Sequence, residues 1–327
     1  MTPAFTVVIP FRDRLPLVRR ALGSLARQTF RDFETLLVDD GSDEDVEPVA
    51  AAFPELDPRV IRTGGTGANA ARNAGTDAAR AGFVAYLDSD DAYLPERLEI
   101  AARQLAAAPA DLHSSPVFVR RSGSHVQVRP GRAPAPGEDI SDFFFAAGER
   151  LPTSGWVVRT AAARAVRWDE RLRKVQDPDF AIRLVRAGYR LAVASEPTVV
   201  LFDDVQAGRI SDSVVLDNLE SWLDRSGHLL TPTARAGFEV YALAYEAARV
   251  SRLRGLRRLV AVTTRRRPPL RLAAKSLYRM LVPVPVFKAT AQLALRARRG
   301  TANLELMEYL RVLEQAADPA IGAHFRR

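Results

Sequence analysis

Three carboxylates lie within four residues of one another in the segment AYLDSDDAY (residues 85–93), where Asp88, Asp90 and Asp91 directly follow a short apolar run. Carboxylates this close repel one another, and a buried anion is costly unless something neutralises it. Two interpretations follow. The acids either form a solvated turn that caps the next helix, or they bind a cation. Hard divalent cations such as Mg²⁺ and Mn²⁺ prefer oxygen ligands of this kind.

The elements around these acids predict an α/β fold with a parallel sheet. Over the first 110 residues, short apolar runs rich in β-branched residues alternate with helically spaced segments, which is typical of right-handed βαβ units. The predicted strands are 5–10, 34–39, 59–62 and 83–87, and the predicted helices are 15–28, 44–53, 67–81 and a fourth with Pro95 in its first turn.

Candidate ligand-binding residues lie at the carboxyl ends of three of the four predicted strands. Pro10, Phe11 and Arg12 lie at the end of the first, Asp39 and Asp40 at the end of the second, and the acidic triplet at the end of the fourth. Ligands of open α/β sheets bind at the carboxyl ends of the strands. Two acidic clusters at strand ends therefore indicate a binding site more strongly than either cluster would alone.

The second half of the chain is predicted to add a hairpin, further strands and then helices. A hairpin is predicted over 112–130, with structural histidines at His113 and His125. A turn, strand and helix follow over 151–166, and then an amphipathic helix within 174–188. Strands are predicted at 189–194 and 198–202, and helices from about 211 onward. We place a boundary near residue 225. It divides a catalytic domain, 1–224, from a basic helical region, 225–327.

Composition excludes several kinds of site. The 327 residues include no cysteine and only four histidines, so disulfides and thiolate metal sites are ruled out and a zinc site has few ligands to use. No apolar stretch approaches the roughly 20 residues that a membrane-spanning helix requires, and the first residues lack the pattern of a signal peptide. We expect a cytoplasmic protein.

Local glycine motifs do not settle the function, because neither GxGxxG nor the phosphate loop GxxxxGK[ST] occurs. Five motifs in order are more specific: VVIPFRDR, LLVDDGSDE, NAARNAG, AYLDSDD and QDPDF. Together they resemble glycosyltransferase family 2 over roughly residues 5–212. That resemblance implies a GT-A fold, with a Rossmann-like, mostly parallel central sheet flanked by helices. It also implies inverting transfer of a sugar from a nucleotide-diphosphate donor.

The resemblance assigns the donor side of the site. Asp39 would accept a hydrogen bond from the base or ribose, in a pocket that Pro10, Phe11 and Arg12 help to form. Residues that would face the rest of the donor are Arg72, Asn73 and Asp88. Asp90 would bind the divalent metal, Mg²⁺ or Mn²⁺, that bridges the phosphates. The alternative role for Asn73 is a structural hydrogen bond to a neighbouring loop. For Asp40 and Asp91 the alternative is helix capping.

The base and the acceptor side are assigned in the same way. Asp177 in QDPDF is the predicted general base, which takes the proton of the attacking hydroxyl. Gln176 stands where the family usually has Glu, and Asp179 is interpreted as a charge at the start of a helix. Gly155, Trp156 and Gln176 would lie on the acceptor side. Core packing is an equal alternative for Trp156.

The resemblance also locates a loop over the donor at TVVLFDDVQAGRIS, which often carries a histidine in the family. This chain has Gln206 there, with Asp203 and Asp204 just before it. Because Gln is a poorer metal ligand than His, we interpret the loop as a lid over the donor.

The positive charge of the chain is local. Residues 251–300 contain 14 Lys and Arg and no acidic residue, which leaves 33 basic against 39 acidic residues elsewhere. Basic amphipathic helices are typical of anionic membrane surfaces. Such a surface suits an enzyme acting on a glycan or lipid-linked acceptor. A solvated helical bundle and a homodimer contact are alternatives; nucleic acid is not expected, since the stretch offers few aromatic residues for it.

Two rival functions are weighed against the transferase. A nucleotidyltransferase would carry a glycine-rich basic loop after the first strand, where this chain has PFRDRLP. The other rival is a non-catalytic binding or adaptor protein of the same fold at an anionic membrane. The acids at positions 88, 90 and 177 favour the enzyme.

Overall fold

A computed structural model describes residues 2–120, 126–202, 215–282, 286 and 304–317. Its strands are β1 (Phe5–Phe11), β2 (Phe33–Asp39), β3 (Arg59–Arg62), β4 (Phe83–Tyr86), β5 (Asp91–Tyr93), β6 (Leu112–Ser114), β7 (Val117–Arg120), β8 (Val126–Arg129), β9 (Trp156–Arg159), β10 (Leu191–Val193) and β11 (Val199–Phe202). Its α-helices are α1 (Leu15–Ala26), α2 (Glu47–Ala51), α3 (Ala68–Ala78), α4 (Arg97–Ala107), α5 (Ile140–Phe145), α6 (Thr160–Val166), α7 (Gln176–Arg186), α8 (Leu216–Ser226), α9 (Pro232–Phe238), α10 (Ala244–Val250), α11 (Arg252–Arg266), α12 (Leu270–Leu281) and α13 (Leu304–Ala317).

The larger sheet has seven strands in the order β10-β6-β9-β4-β1-β2-β3. Strand β1, an interior strand of this sheet, is buried along its whole length and pairs in parallel with β2 and β4. Apolar clusters cover both faces, one packed with α1 and α4 and the other with α3, α6 and α7. This explains why the sequence of β1 is apolar at almost every position rather than alternating. The α/β fold with a mostly parallel central sheet is confirmed.

One strand of this sheet runs against the others. β9 lies between β4 and β6 and is antiparallel to both, whereas every other pairing in the sheet is parallel. The sequence predicts β9 as a strand but does not give its direction. Inserting an antiparallel strand brings the turn before β9 to the carboxyl end of β4, beside the acidic triplet.

A smaller sheet was not predicted. It has four strands in the order β5-β11-β7-β8. β7 and β8 form the expected hairpin, but β6 does not join it and instead pairs with β9 and β10 in the larger sheet. His113 is therefore a buried residue of the larger sheet rather than a hairpin residue, and His125 lies outside the described residues.

Helix α3 packs unusually close to the sheet. A Cβ placed on Gly75 would lie 2.4 Å from a methyl carbon of Val8 in β1. Only glycine fits this approach without displacement of the strand. The close packing brings Arg72, one turn earlier in α3, towards the carboxyl ends of β1 and β4.

The described helices that follow β11 pack against one another and against the earlier part of the chain. Trp222 of α8 contacts Phe145 at the end of α5 and Phe238 of α9, while α13 packs Leu306 and Leu310 against Val200 of the smaller sheet. The predicted boundary near residue 225 falls at the end of α8, and the division into two domains stays a prediction. Among the helices that the structure describes, none is long and apolar enough to cross a membrane.

Candidate active site

Arg72 lies at the centre of the residues that the sequence predicts to be functional. Its buried guanidinium donates to Asp88 Oδ1 at 2.6 Å and to Gln176 Oε1 at 3.1 Å, and also to Asn69 Oδ1 at 3.1 Å. Burial by itself lowers the pKa of Arg72, but the nearby carboxylates of Asp88 and Asp177 outweigh it and the pKa is raised. Arg72 thus remains a cation and connects the end of β4 to the first turn of α7.

Asp177, the predicted general base, accepts a hydrogen bond from Thr153 Oγ1 at 2.5 Å. Its pKa is raised above the usual range of an aspartate because burial disfavours the charged form, although the Thr153 hydrogen bond and the charge of Arg72 partly oppose this. A carboxylate with a raised pKa is a stronger base than an ordinary aspartate. The raised pKa agrees with the role of general base, which stays a prediction.

Ser154, next to Thr153, forms hydrogen bonds with two residues of the acidic triplet. Its hydroxyl donates to Asp91 Oδ2 at 2.5 Å and accepts from the backbone N–H of Asp88 at 3.1 Å. Two adjacent hydroxyls of one 3₁₀ turn, Thr153–Gly155, therefore contact the base on one side and the acids on the other. This turn is the structural link between the two halves of the site.

Asp91 does not cap a helix, so that alternative is wrong for it. It begins strand β5, and α4 begins only at Arg97, two residues after Pro95. Its side chain is buried against Ser154, and burial together with the charges of Asp90 and Asp88 raises its pKa well above that of an ordinary aspartate. The triplet therefore does not present three equivalent carboxylates to solvent.

Asp90 is positioned through its backbone. Arg20 of α1 donates to the carbonyl oxygen of Asp90 at 2.5 Å, and the same guanidinium lies 3.6 Å from the ring centre of Phe202 in β11. The side chain of Asp90 is only partly buried. Arg20 thus joins α1 to the acidic segment and to β11 of the smaller sheet, and nothing in the local sequence around it predicts this role.

The ends of β1 and β2 form the other side of the site. Phe11 pairs with Asp39 in register, and both are buried, while the side chain of Arg12 is exposed beside Gly65. Asp39 Oδ1 accepts from the backbone N–H of Ser42 at 2.8 Å. The structure brings these residues and Pro10 to the edge of the sheet that also carries Asp88, and their donor contacts stay a prediction.

Asp40 has a structural role close to the capping alternative. Its carboxylate accepts from the backbone N–H groups of Thr66 and Gly67, at 2.9 and 2.8 Å, just before α3 begins. Gly41, which follows it, has a φ of 79°, and a Cβ there would lie 3.1 Å from the nitrogen of Gly65. Asp40 thus ties the turn after β2 to the start of the helix that carries Arg72.

Asn73 uses its side-chain amide in structural hydrogen bonds, which the donor assignment did not expect. Its amide nitrogen donates to Trp168 O at 3.0 Å and to Glu170 Oε1 at 2.8 Å, and its oxygen accepts from Trp168 N at 2.9 Å. Both ends of the amide are therefore occupied by the segment before α7. The alternative, a structural hydrogen bond to a neighbouring loop, is the one observed.

Gly155 and Trp156 are core residues rather than an acceptor wall. Trp156 is fully buried and stacks on Trp168, with Phe180 also in contact. A Cβ on Gly155 would lie 2.3 Å from the carbonyl oxygen of Ser115, so close packing explains this glycine. Core packing, which was the alternative for Trp156, is what the structure shows.

The remaining residues of the QDPDF segment divide between site and core. Gln176 accepts from Arg72 and donates through Nε2 to Leu172 O at 3.0 Å, so its amide is held beside Asp177. Asp179 is buried, pairs with Arg183 at 2.6 Å and accepts from the indole of Trp222 at 2.7 Å. Asp179 therefore holds α8 against α7, and the acceptor-side role of Gln176 stays a prediction.

The chemistry of the donor set fits a hard divalent cation bound jointly with phosphate oxygens. Among the residues that the structure describes, no three acidic or histidine side chains converge to hold a metal by themselves. Asp88 and Asp90 supply partly exposed carboxylates at the end of β4, and Mg²⁺ typically binds one or two carboxylates plus substrate phosphates. Asp203, Asp204 and Gln206 of the predicted lid lie outside the described residues.

The comparison that decides the family covers this site. The model of glycosyl transferase family 2 matches residues 6–171, about half of the chain. The chain belongs to glycosyltransferase family 2. The predicted resemblance is thereby confirmed, and this family 2 protein is an enzyme, a glycosyltransferase.

Relatives of this glycosyltransferase match it in part. The amylovoran biosynthesis glycosyltransferase AmsB of Erwinia amylovora is 27% identical over 206 residues, which cover 59% of this chain and 68% of AmsB. The succinoglycan biosynthesis protein ExoW of Rhizobium meliloti is 38% identical over 114 residues, covering 33% of this chain and 36% of ExoW.

Solved structures confirm the GT-A fold of this glycosyltransferase. S. aureus TarS 1–349, crystallised with UDP-GlcNAc, has a TM-score of 0.55 at 19% identity and covers 98% of this chain and 83% of its own. GalNAc-T7, crystallised with UDP, GalNAc and Mn²⁺, has a TM-score of 0.53 at 15% identity over 68% of this chain and 48% of its own.

Proposed function

We propose that this glycosyltransferase moves a sugar, with inversion, from a nucleotide-diphosphate donor to a hydroxyl of a glycan or lipid-linked acceptor in polysaccharide biosynthesis. The observation that carries the proposal is the position of Arg72 between the donor-side acid Asp88 and α7, the helix of Asp177. A cation there faces both the expected diphosphate and the expected base. Donors containing uridine are the first expectation.

The reaction is a single displacement. The acceptor oxygen attacks the anomeric carbon while its proton passes to the carboxylate of Asp177, and the bond from the anomeric carbon to the diphosphate oxygen breaks. The nucleoside diphosphate leaves, and the configuration at the carbon inverts. Burial that raises the pKa of Asp177 makes its carboxylate a better proton acceptor.

Arg72 would serve both partners of this displacement. Its positive charge stabilises the ionised form of Asp177 before transfer and opposes the negative charge that develops on the leaving diphosphate. Asp88 and Asp90 would hold a Mg²⁺ or Mn²⁺ ion with the donor phosphates, and that ion, when bound, supplies further positive charge at the leaving group. The pairing of Asp88 with Arg72 fixes the orientation of the carboxylate before the donor arrives.

Support for a nucleotide-sugar donor comes from the fold and from similar proteins. The edge that carries Asp39, Asp88 and Asp90 is the carboxyl end of parallel strands, where ligands of open α/β sheets bind. TarS and GalNAc-T7, which share the fold, were crystallised with UDP-GlcNAc and with UDP, GalNAc and Mn²⁺. AmsB and ExoW are named for the biosynthesis of amylovoran and succinoglycan.

The proposal is tested by separating binding from chemistry. Thermal unfolding is measured with UDP-, dTDP- and GDP-sugars, each with Mn²⁺ or with EDTA, because a ligand at 100 times its Kd stabilises a fold by about 2.7 kcal/mol. We expect a metal-dependent shift with one nucleotide, loss of that shift in Asp90→Ala, and its retention in Asp177→Asn.

Turnover of that donor then tests the base. Asp177→Asn is expected to lower kcat by roughly 10²–10⁴-fold, whereas Asp32→Asn, at an exposed position at the opposite end of β2 from Asp39, keeps wild-type turnover. If no nucleotide stabilises the protein, the donor site is wrong. If Asp177→Asn turns over normally, the base is wrong.

A further inference from the structure

Helix α12 carries an apolar stripe that no described part of the chain covers. Leu270, Leu277 and Leu281 are 80%, 38% and 54% exposed, and Ala274 between them is exposed as well. Their spacing of i, i+4, i+7 and i+11 places all four on one side of the helix. A different side of α12 is covered: Leu272, Ser276 and Met280 are buried, Met280 packs in the cluster of Val240, and the Ser276 hydroxyl donates to Val240 O.

Helix α11, which precedes α12, also has one exposed and one buried apolar side. Leu253 and Val260 are 56% and 61% exposed and lie seven residues apart, again on one side of the helix. Leu259 and Val262 are buried and pack against Val240 and Ala244. Each of the two helices therefore presents large apolar side chains to solvent in addition to the apolar side that anchors it to the protein.

The charge of this region has one sign. Residues 251–282 contain ten arginines and lysines and no acidic residue. Half of these cations are engaged by the rest of the protein: Arg258 pairs with Glu220, Arg266 with Glu239, Arg271 donates to Ala147 O, and Lys275 and Arg279 lie over the ring of Tyr241. These contacts fix α11 and α12 in place.

The other five cations have no ion-pair partner among the described residues. They are Arg252, Arg254, Arg257, Arg265 and Arg267, and all five are exposed. Arg257 lies between Leu253 and Val260 on the exposed side of α11. On the exposed side of α11, cations and large apolar side chains are therefore interleaved, and no acidic side chain among the described residues pairs with these cations.

We infer that the exposed sides of α11 and α12 form a docking surface for a membrane containing anionic lipids. A lipid interface satisfies both features, because leucine side chains enter the acyl boundary while arginines meet the headgroup phosphates. Nucleic acid would satisfy only the cations. A second copy of the chain would bring a surface of the same charge, and this disfavours self-association through it.

Binding of the full chain to vesicles tests the inference without using transferase activity, so its outcome is independent of the proposed reaction. Sedimentation is measured with vesicles of phosphatidylcholine alone and with about one third phosphatidylglycerol, at low and high salt. We expect at least tenfold tighter binding to the anionic vesicles, weakened by salt.

Matched variants separate the apolar and ionic contributions. Leu277→Ser with Leu281→Ser is expected to weaken anionic vesicle binding about tenfold, and Arg252→Gln, Arg254→Gln and Arg257→Gln together should abolish the preference for anionic lipid. The controls are Val128→Ser, an exposed apolar residue of β8, and a triple Gln variant of the exposed Arg31, Arg80 and Arg103. Unchanged thermal unfolding shows that each variant is folded.

Three results would overturn the inference. The first is equal binding of the leucine variant and the wild type to anionic vesicles. The second is tighter binding to duplex DNA than to vesicles, unaffected by the leucine changes, which would identify a nucleic-acid surface. The third is a dimer in sedimentation equilibrium that the leucine changes dissociate, which would identify a second copy as the occupant.

Discussion

Thr153 Oγ1 donates a hydrogen bond of 2.5 Å to Asp177 Oδ1 and so joins the turn before β9 to the first turn of α7. The two residues are 24 positions apart in the chain. The bond orients the carboxylate of the predicted base and stabilises its ionised form. Thr153 is therefore expected to act as a positioning residue through Asp177.

Replacing Thr153 by Val keeps the shape of the side chain and removes the donor. The pKa of Asp177 should rise further, so a higher pH is needed to ionise the base and the acidic limb of the kcat/KM profile moves to higher pH. We expect a rate loss of roughly tenfold near neutral pH, because a hydrogen bond to a charged group contributes about 1.5–3 kcal/mol. Thr153→Ser retains the donor and should retain the wild-type profile; an unshifted profile in the Val variant would exclude the role.

Arg72→Met should destabilise the fold, since it leaves Asp88, Asn69 and Gln176 without their shared donor. Removing one partner of a buried ion pair costs about 3–5 kcal/mol, and we expect the lower end because the Asp88 side chain is 33% exposed. Urea unfolding measures the change. Arg167→Met is the control: that side chain is exposed and its ion pair with the exposed Asp77 lies at the surface, so a loss of at most about 1 kcal/mol is expected. Equal losses in the two variants would contradict the central position of Arg72.

His113 should make stability depend on pH in a defined window. It is buried and bonds to Gln104 Oε1 at 2.6 Å, and burial, with the charge of Arg97, lowers its pKa to about 4. The unfolded chain, with a His pKa of about 6.5, binds a proton that the folded chain does not. The free energy of unfolding therefore falls as the pH drops from about 6.5 to about 4, by at most about 3 kcal/mol.

His113→Asn removes that titration. Urea unfolding at several pH values should show the wild type losing stability relative to the variant below about pH 6.5, whatever the offset between them at neutral pH. His228→Asn, at an exposed position, is the matched control and should follow the wild type. Parallel curves for the wild type and the His113 variant would mean that this histidine is not held neutral in the fold.

Gly155→Ala tests the close packing that replaced the acceptor-side assignment. The added methyl would lie 2.3 Å from the carbonyl oxygen of Ser115, and a backbone atom can move away only by shifting a strand. We expect a stability loss of roughly 1–3 kcal/mol or more by urea unfolding. Gly64→Ala, where no atom lies within 4 Å of the new methyl, should change stability far less. A stable Gly155→Ala protein with impaired acceptor use would instead support the original assignment.

The strands that carry the site follow from local sequence. Residues 5–10, 36–38 and 83–87 are apolar at nearly every position because both faces of each strand are buried there. The observed bounds of the strands predicted at 5–10, 34–39 and 83–87 differ from the predicted ones by only a residue. Polar residues directly after such strands must lie at the carboxyl edge of a parallel sheet. The placement of Asp39 and Asp88 at one edge therefore follows from the sequence alone.

Residues whose role depends on a distant partner could not be assigned in this way. Asp91 bonds to Ser154 63 positions later, and Asn73 bonds to Trp168 95 positions later. Local sequence describes both residues only as polar groups beside a turn or on a helix. Burial in the tertiary structure decided which of them face the site and which hold the protein together.

The antiparallel strand β9 likewise combines a feature that local sequence predicts with one that only tertiary packing decides. Its apolar residues predict a strand, but its direction depends on hydrogen bonding to β4 and β6, which the pattern within β9 does not encode. That direction places Thr153 and Ser154 beside the base and the acids. The sequence by itself therefore determined the elements and the chemical groups at their ends, because these depend on local periodicity. The tertiary structure decided which groups meet, because each contact depends on how separate elements pack.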